Sequence, residues 1–178
     1  MGRIALLGWG SLIWNPRNLK VIGPWHDDGP MLPIEFARQS SGQRVTLVIA
    51  AGLPLQRTLW IKSAFNVLLD AANNLKEREG TSDKWIAFWP GNAKGYVGID
   101  DVMSRWCGTH GLDGVVWTAL PPKWGNEEGV IPTPEQLVGY LTGLSKEEKE
   151  RAMEYIVNAP KQIDTPLRRE IRARLGWA

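Results

Sequence analysis

The chain has 178 residues, ten tryptophans, one cysteine and a formal charge of +2. That length suits one domain able to bury its own core, and Lys and Arg scattered along the chain exclude the clustered basic stripe of a nucleic-acid surface. A lone Cys107 excludes an internal disulfide, the start MGRIALL lacks the parts of a signal peptide, and the longest apolar stretch, VTLVIAAGLPL, is too short and too broken to cross a bilayer.

A reduced, cytoplasmic setting follows as the expectation, with neither nucleic acid nor membrane as partner; the oligomeric state is left open. Along the chain, Ile4 to Leu7 read as a buried strand and RVTLVIAAG, Arg44 to Gly52, as a second that closes on a glycine. TLWIKS is a weaker third strand. From about Ser63 the pattern becomes helical through SAFNVLLDAANNLKERE and stops at Gly80, a residue suited to a C-cap. KWIAFW then reads as a strand ended by Pro90 and Gly91, and GVVWTAL as another ended by Pro121 and Pro122.

The last third is helical. Thr133-Pro134 with Gln136 marks a helix start, Ser145 with Glu148 forms a capping box, and Thr165-Pro166 opens a final helix with Leu167, Ile171 and Leu175 on one face and Gly176 at its end. Three strands, a helix, two strands and then helices predict an α+β domain rather than regular βαβ alternation. One domain over 1–178 is expected, with a core at about 1–122 and a helical extension at about 130–178.

The loop after the first strand, GWGSLIWNP, carries more chemistry than a connection needs. Its glycines permit a tight turn and close approach of a ligand, and successive free N–H groups in such a turn suit a carboxylate or a developing oxyanion. The serine is not in a G-x-S-x-G elbow, because Trp9 and Ile13 stand where that motif has glycines. A dinucleotide fingerprint fails as well, since its third glycine falls on Ile13.

These residues, LLGWGSLIWNP, resemble the N-terminal signature of the γ-glutamylcyclotransferase-like proteins, closest to their glutathione-specific branch. FARQSSGQRVTLVIA is similar to that branch's basic, serine-containing stretch, and a helix carrying REG before IAFWP is a third match, so the resemblance covers roughly Ile4 to Pro90. It implies a small mixed β-barrel flanked by helices and a cofactor-free, metal-free reaction. In that reaction the α-amine of a small γ-glutamyl substrate attacks its own γ-carbonyl, releasing 5-oxoproline and an amine. Gly8, Trp9, Gly10, Ser11 and Leu12 would cradle the substrate, and Arg38 of FARQS could pair with its carboxylate.

The family's general acid/base is a glutamate near the end of the central helix, and Glu77 and Glu79 both qualify. Leu68, Ala72, Leu75 and Glu79 form one stripe, with Glu79 about 40° around the axis from Leu75 and Glu77 roughly 200° from it. Helix geometry therefore favours Glu79 as the inward carboxylate, whose burial and position at a helix C-terminus should raise its pKa. The family spacing counted back from FWP favours Glu77, and the choice stays open at this point. Trp9 stands where the family has Tyr, so substrate identity is open too. A non-catalytic domain of the same fold, binding a small anionic metabolite or a protein, is the alternative.

Two other clusters invite weaker readings. Cys107 and His110 in WCGTHG have helical spacing, but Gly108 and Gly111 read as a turn and no orienting partner is evident. His26-Asp27-Asp28 is a row of metal-ligand types, but adjacent residues seldom converge on one ion.

Overall fold

The computed structural model describes residues 2–177. In chain order the elements are β1 (Ile4–Gly8), β2 (Val21–His26), β3 (Met31–Leu32), β4 (Ile34–Gln39), β5 (Val45–Ile49), β6 (Gln56–Arg57) and β7 (Leu59–Ser63), followed by α1 (Leu68–Glu79). After α1 come β8 (Ile86–Trp89), α2 (Ile99–His110), β9 (Gly114–Thr118), β10 (Lys123–Trp124), β11 (Glu127–Glu128), α3 (Pro134–Gly143), α4 (Lys146–Asn158) and α5 (Pro166–Leu175). The protein is a mixed α+β fold. It divides into two compact units, one of residues 1–32 and 57–120, the other of 33–56 and 121–178.

The first unit is built on a five-stranded sheet in the order β2-β7-β1-β9-β8. β1 is buried along its whole length because it is central, paired antiparallel to β7 through Leu7 and Trp60 and parallel to β9 through Leu6 and Val116. Its run IALLG is continuous rather than alternating, as a strand covered on both faces requires. Ala71, Ala72 and Leu75 of α1 join Ile4, Leu6, Leu12, Leu19, Ile61, Ile86 and Val116 in one apolar cluster. Burying such side chains contributes roughly 1.5–3 kcal/mol for each large one. β2 and β8 are the sheet's edges, and no sheet among the described residues closes into the barrel that the resemblance implies.

Two local expectations need correction, and one edge strand went unforeseen. α1 begins at Leu68 rather than near Ser63, because β7 extends to Ser63 and the connecting residues are tied down by bonds from the Ala64 N–H to the Lys20 carbonyl and from the Phe65 N–H to Ser63 Oγ. WCGTHG is the end of α2 rather than a turn. An interior glycine costs a helix about 1 kcal/mol, but Ile99, Met103, Trp106 and Cys107 bury its inner face and Gly111, at φ 62°, caps it. β2 was not apparent in the sequence because it is an irregular edge strand containing Gly23 and Pro24, with a register shift between Ile22 and His26.

The second unit holds a four-stranded sheet, β11-β10-β4-β5, and the three C-terminal helices. Capping boxes at Thr133/Gln136 and Ser145/Glu148 start α3 and α4, and Thr165 caps α5, which Gly176 ends in the left-handed conformation. The buried Arg168 of α5 donates to the carbonyls of Ile156, Ala159, Pro160 and Ile163, satisfying groups that the end of α4 leaves open. Glu35 of β4, fully buried, accepts from the Phe36 and Leu167 N–H groups and from Thr165 Oγ1. Among the described residues no helix is long and apolar enough to cross a membrane.

Candidate functional site

Gly8 ends β1 with no room for a side chain: a Cβ there would lie 2.6 Å from the ring of Trp25. The glycine is therefore required by the tryptophan packed on it. Trp9 and Leu12 turn inward and are buried, whereas Ser11 is half-buried. The loop then winds through two successive turns, with the Ile13 N–H on the Gly10 carbonyl at 3.0 Å and the Asn15 N–H on the Ser11 carbonyl at 2.9 Å. The N–H groups of Gly10, Ser11 and Leu12 donate to nothing among the described residues.

The end of α1 meets this loop through Arg78. Its guanidinium is buried, with Nη2 donating to Ser11 Oγ at 3.3 Å and to the Asn15 carbonyl at 2.5 Å, and Nη1 donating to Glu79 Oε1 at 2.8 Å. A peptide-bonded pair thus spans the gap between helix and loop. Glu79 keeps 21% of its side chain exposed. Burial raises its pKa above the ordinary carboxylate value, against the opposing pull of the Arg78 and Arg17 charges. Raised but still countered by two cations, such a group can take up and return a proton.

Glu77, one residue before Arg78, is exposed on another face of α1. There it lines a cavity of about 320 Å³ with Asn18, Lys20, Phe65, Asp70, Asn73 and Asn74. The buried Asn74 is spent on structure, accepting from the Lys20 N–H and donating to the Asn18 carbonyl. Only Glu79 of the two glutamates is bonded to the group that holds Ser11.

Arg38 belongs to the second unit, on β4, where its Nη1 donates to the Pro121 carbonyl at 2.8 Å. Burial lowers its pKa and Glu128 opposes that effect. Gly8, Trp9, Gly10, Ser11, Leu12 and Glu79 all lie in the first unit.

The Cys107 thiol is buried, which together with Asp113 pushes its pKa up to about 12. His110 has an orienting partner that the sequence did not reveal: its Nε2 lies 3.2 Å from Asp28 Oδ2 and its Nδ1 2.9 Å from the Trp106 carbonyl. Asp28 also accepts from Trp60 Nε1 at 2.7 Å, while His26 stacks on the Trp60 ring. No group of three or more His, Cys, Asp or Glu side chains suited to a metal ion occurs among the described residues.

Arg78 was missed because a charge between two glutamates reads as solvated surface. Its spacing carried the signal, since it stands three residues after the buried Leu75 and so on the same face of α1. Compared with protein-family models, curated proteins and solved structures, the chain gives no match.

Proposed function

We propose that this chain is a γ-glutamylcyclotransferase-like enzyme, of that family's barrel-related fold, which converts a γ-glutamyl compound to 5-oxoproline with release of an amine. The observation that carries the reading is the Arg78 bridge, which joins Glu79 to Ser11 of the GWGSL loop through bonds of 2.8 and 3.3 Å. Glu79 takes a proton from the substrate's α-ammonium, and the freed amine attacks the γ-carbonyl. As the new C–N bond forms, the N–H groups of Gly10, Ser11 and Leu12 receive the developing oxyanion. Collapse breaks the original γ-amide C–N bond and Glu79 gives its proton to the leaving nitrogen, while the ring nitrogen, cationic after attack, sheds a second proton that the departing amine takes up as it leaves as an ammonium.

Both reacting groups sit on one molecule, so the protein's task is to fold the substrate, pass protons from the attacking to the leaving nitrogen and hold one negative oxygen. No cofactor or metal enters the scheme. The setting is cytoplasmic metabolism of glutathione or related γ-glutamyl compounds.

The test is 5-oxoproline release from glutathione, γ-glutamyl amino acids and γ-glutamylamines by the wild type, Glu79→Gln and Glu77→Gln. Loss confined to Glu79→Gln, by about 10²-fold or more, supports the assignment. Full activity in a folded Glu79→Gln protein defeats it. A second reading, a non-catalytic domain that binds a small anion, draws on the commitment of Glu79 Oε1 to Arg78 and on the buried Trp9, which offers no hydroxyl. Absence of release from every member of the panel would favour it.

A further inference from the structure

We infer that Asn74 is a positioning residue for the GWGSL loop: with Arg78 it forms a two-point clamp along α1 that fixes the turns carrying the Gly10, Ser11 and Leu12 N–H groups. The reaction those groups serve rests on the reading above; the clamp itself does not.

Asn74 and Arg78 stand four residues apart, on one face of α1 and about 6 Å apart along its axis. The segment that follows the loop runs back over that face. At the helix end Arg78 holds Ser11 and the Asn15 carbonyl. One turn earlier the Asn74 carboxamide takes two groups at once, its Oδ1 accepting from the Lys20 N–H at 2.8 Å and its Nδ2 donating to the Asn18 carbonyl at 3.2 Å. Only a side chain with both a donor and an acceptor can satisfy an N–H and a C=O two residues apart, as a neighbouring strand would. Asparagine is a poor residue for a helix interior, and an amide that is 6% exposed has to be bonded. Both of its partners lie in this segment.

The two ends of the loop are unequally anchored. Its entry, Gly8, is the last residue of the central, wholly buried β1. Its exit leads into β2, an edge strand with a register shift, and of residues 15–20 only Leu19 is buried. The cavity of about 320 Å³ that Asn18, Lys20 and Asn74 help to line leaves little packed against that exit. Arg78 alone would be a pivot, and the second point removes rotation about it. The loop's own turns, Ile13 on Gly10 and Asn15 on Ser11, lie in series with the Arg78 bond to Asn15, the Leu19 bond to Pro16 and the Asn74 bonds to Asn18 and Lys20. A displaced exit is passed along that series to the N–H groups at its start.

Amide hydrogen exchange and turnover, measured on the wild type, Asn74→Leu, Asn74→Asp and Asn73→Ala, test this. Asn74→Leu keeps the volume and loses both bonds. Asn74→Asp keeps the acceptor for Lys20, loses the donor to Asn18, and carries the same comparison if Asn74→Leu does not fold. Asn73, exposed and with no side-chain hydrogen bond among the described residues, is the control. In Asn74→Leu exchange should quicken at the Lys20 amide and, beyond the contacts of residue 74, by about tenfold or more at the Ile13 and Asn15 amides. Its kcat for 5-oxoproline release should fall about 10- to 100-fold with KM little changed, because misplaced oxyanion donors tell in the transition state. Asn74→Asp should fall between, and Asn73→Ala should match the wild type. Exchange that quickens at Lys20 alone, or a folded Asn74→Leu protein with full kcat, overturns the assignment. If the wild type releases no 5-oxoproline while Ile13 and Asn15 still quicken in Asn74→Leu, the clamp stands and the reaction falls.

Discussion

Nη1 of Arg78 lies 2.8 Å from Oε1 of Glu79, its neighbour in the chain, while Nη2 of the same guanidinium holds Ser11. One side chain therefore acts both on the carboxylate proposed as the acid/base and on the position of the loop. Burial raises the Glu79 pKa and Arg78 restrains it. Arg78→Gln removes the restraint, so the acidic limb of the proposed 5-oxoproline release should move to higher pH, and Arg78→Lys should bring it most of the way back. The pH dependence of kcat/KM checks this. Loss of the bonds to Ser11 and Asn15 should also cost on the order of 1–3 kcal/mol in a urea titration.

Glu35 offers a pH prediction in the second unit. Burial raises its carboxyl, against the bonds from Thr165, Phe36 and Leu167. A raised folded pKa means that the native state holds the proton after the unfolded chain has released it. The contribution of Glu35 to stability is accordingly greatest below the ordinary carboxylate value and is lost as pH rises through the folded value. Unfolding free energies of the wild type and Glu35→Gln, measured from acid to neutral pH, should diverge in that direction, with the wild type losing ground as pH rises.

Thr165→Ala should be costly for a different reason. It removes the cap of α5, which accepts from the Arg168 N–H, and one of the donors to the buried Glu35. A loss of about 1–3 kcal/mol is expected, read as a lower denaturant midpoint at unchanged m-value.

Asp28 has the opposite sign. The bond from the Trp60 indole, more than the neighbouring His110, lowers its carboxyl, although partial burial works against them. Its contribution is present above the ordinary aspartate value and is lost as pH falls through the lowered one. Acidification should therefore shift the Trp60 indole N–H resonance in a step that Asp28→Ala abolishes. With 58% of the Asp28 side chain exposed, salt should weaken the His110 contact.

Cys107 should be silent to thiol reagents. Its buried sulfur, with a pKa pushed up to about 12, supplies almost no thiolate at pH 8. A colorimetric thiol assay should find none in the native protein and one per chain in denaturant.

Much of the local structure was legible because local chemistry determines it. The capping boxes at Thr133 and Ser145, the Thr165 start and the Gly80 and Gly176 stops appear where side-chain spacing places them. β4 escaped notice because Glu35 interrupts its apolar run, and the residues that justify that carboxylate lie some 130 positions away. Gly108 hid α2 by its propensity, which tertiary burial overrode. At the site, the helical period separated Glu79 from Glu77. The Asp28–His110 contact joins positions 82 apart, which no local pattern announces.

The parallel pairing of β1 with β9 also orders events in time. Residues 4–6 leave the ribosome well before their second neighbour, residues 114–116, which follows more than a hundred positions later. Until then β1, the most buried strand of its sheet, has an open flank. A nascent or truncated chain that stops short of Thr118 exposes that flank as a template for other strands, and pairing between such distant segments slows folding of the completed chain.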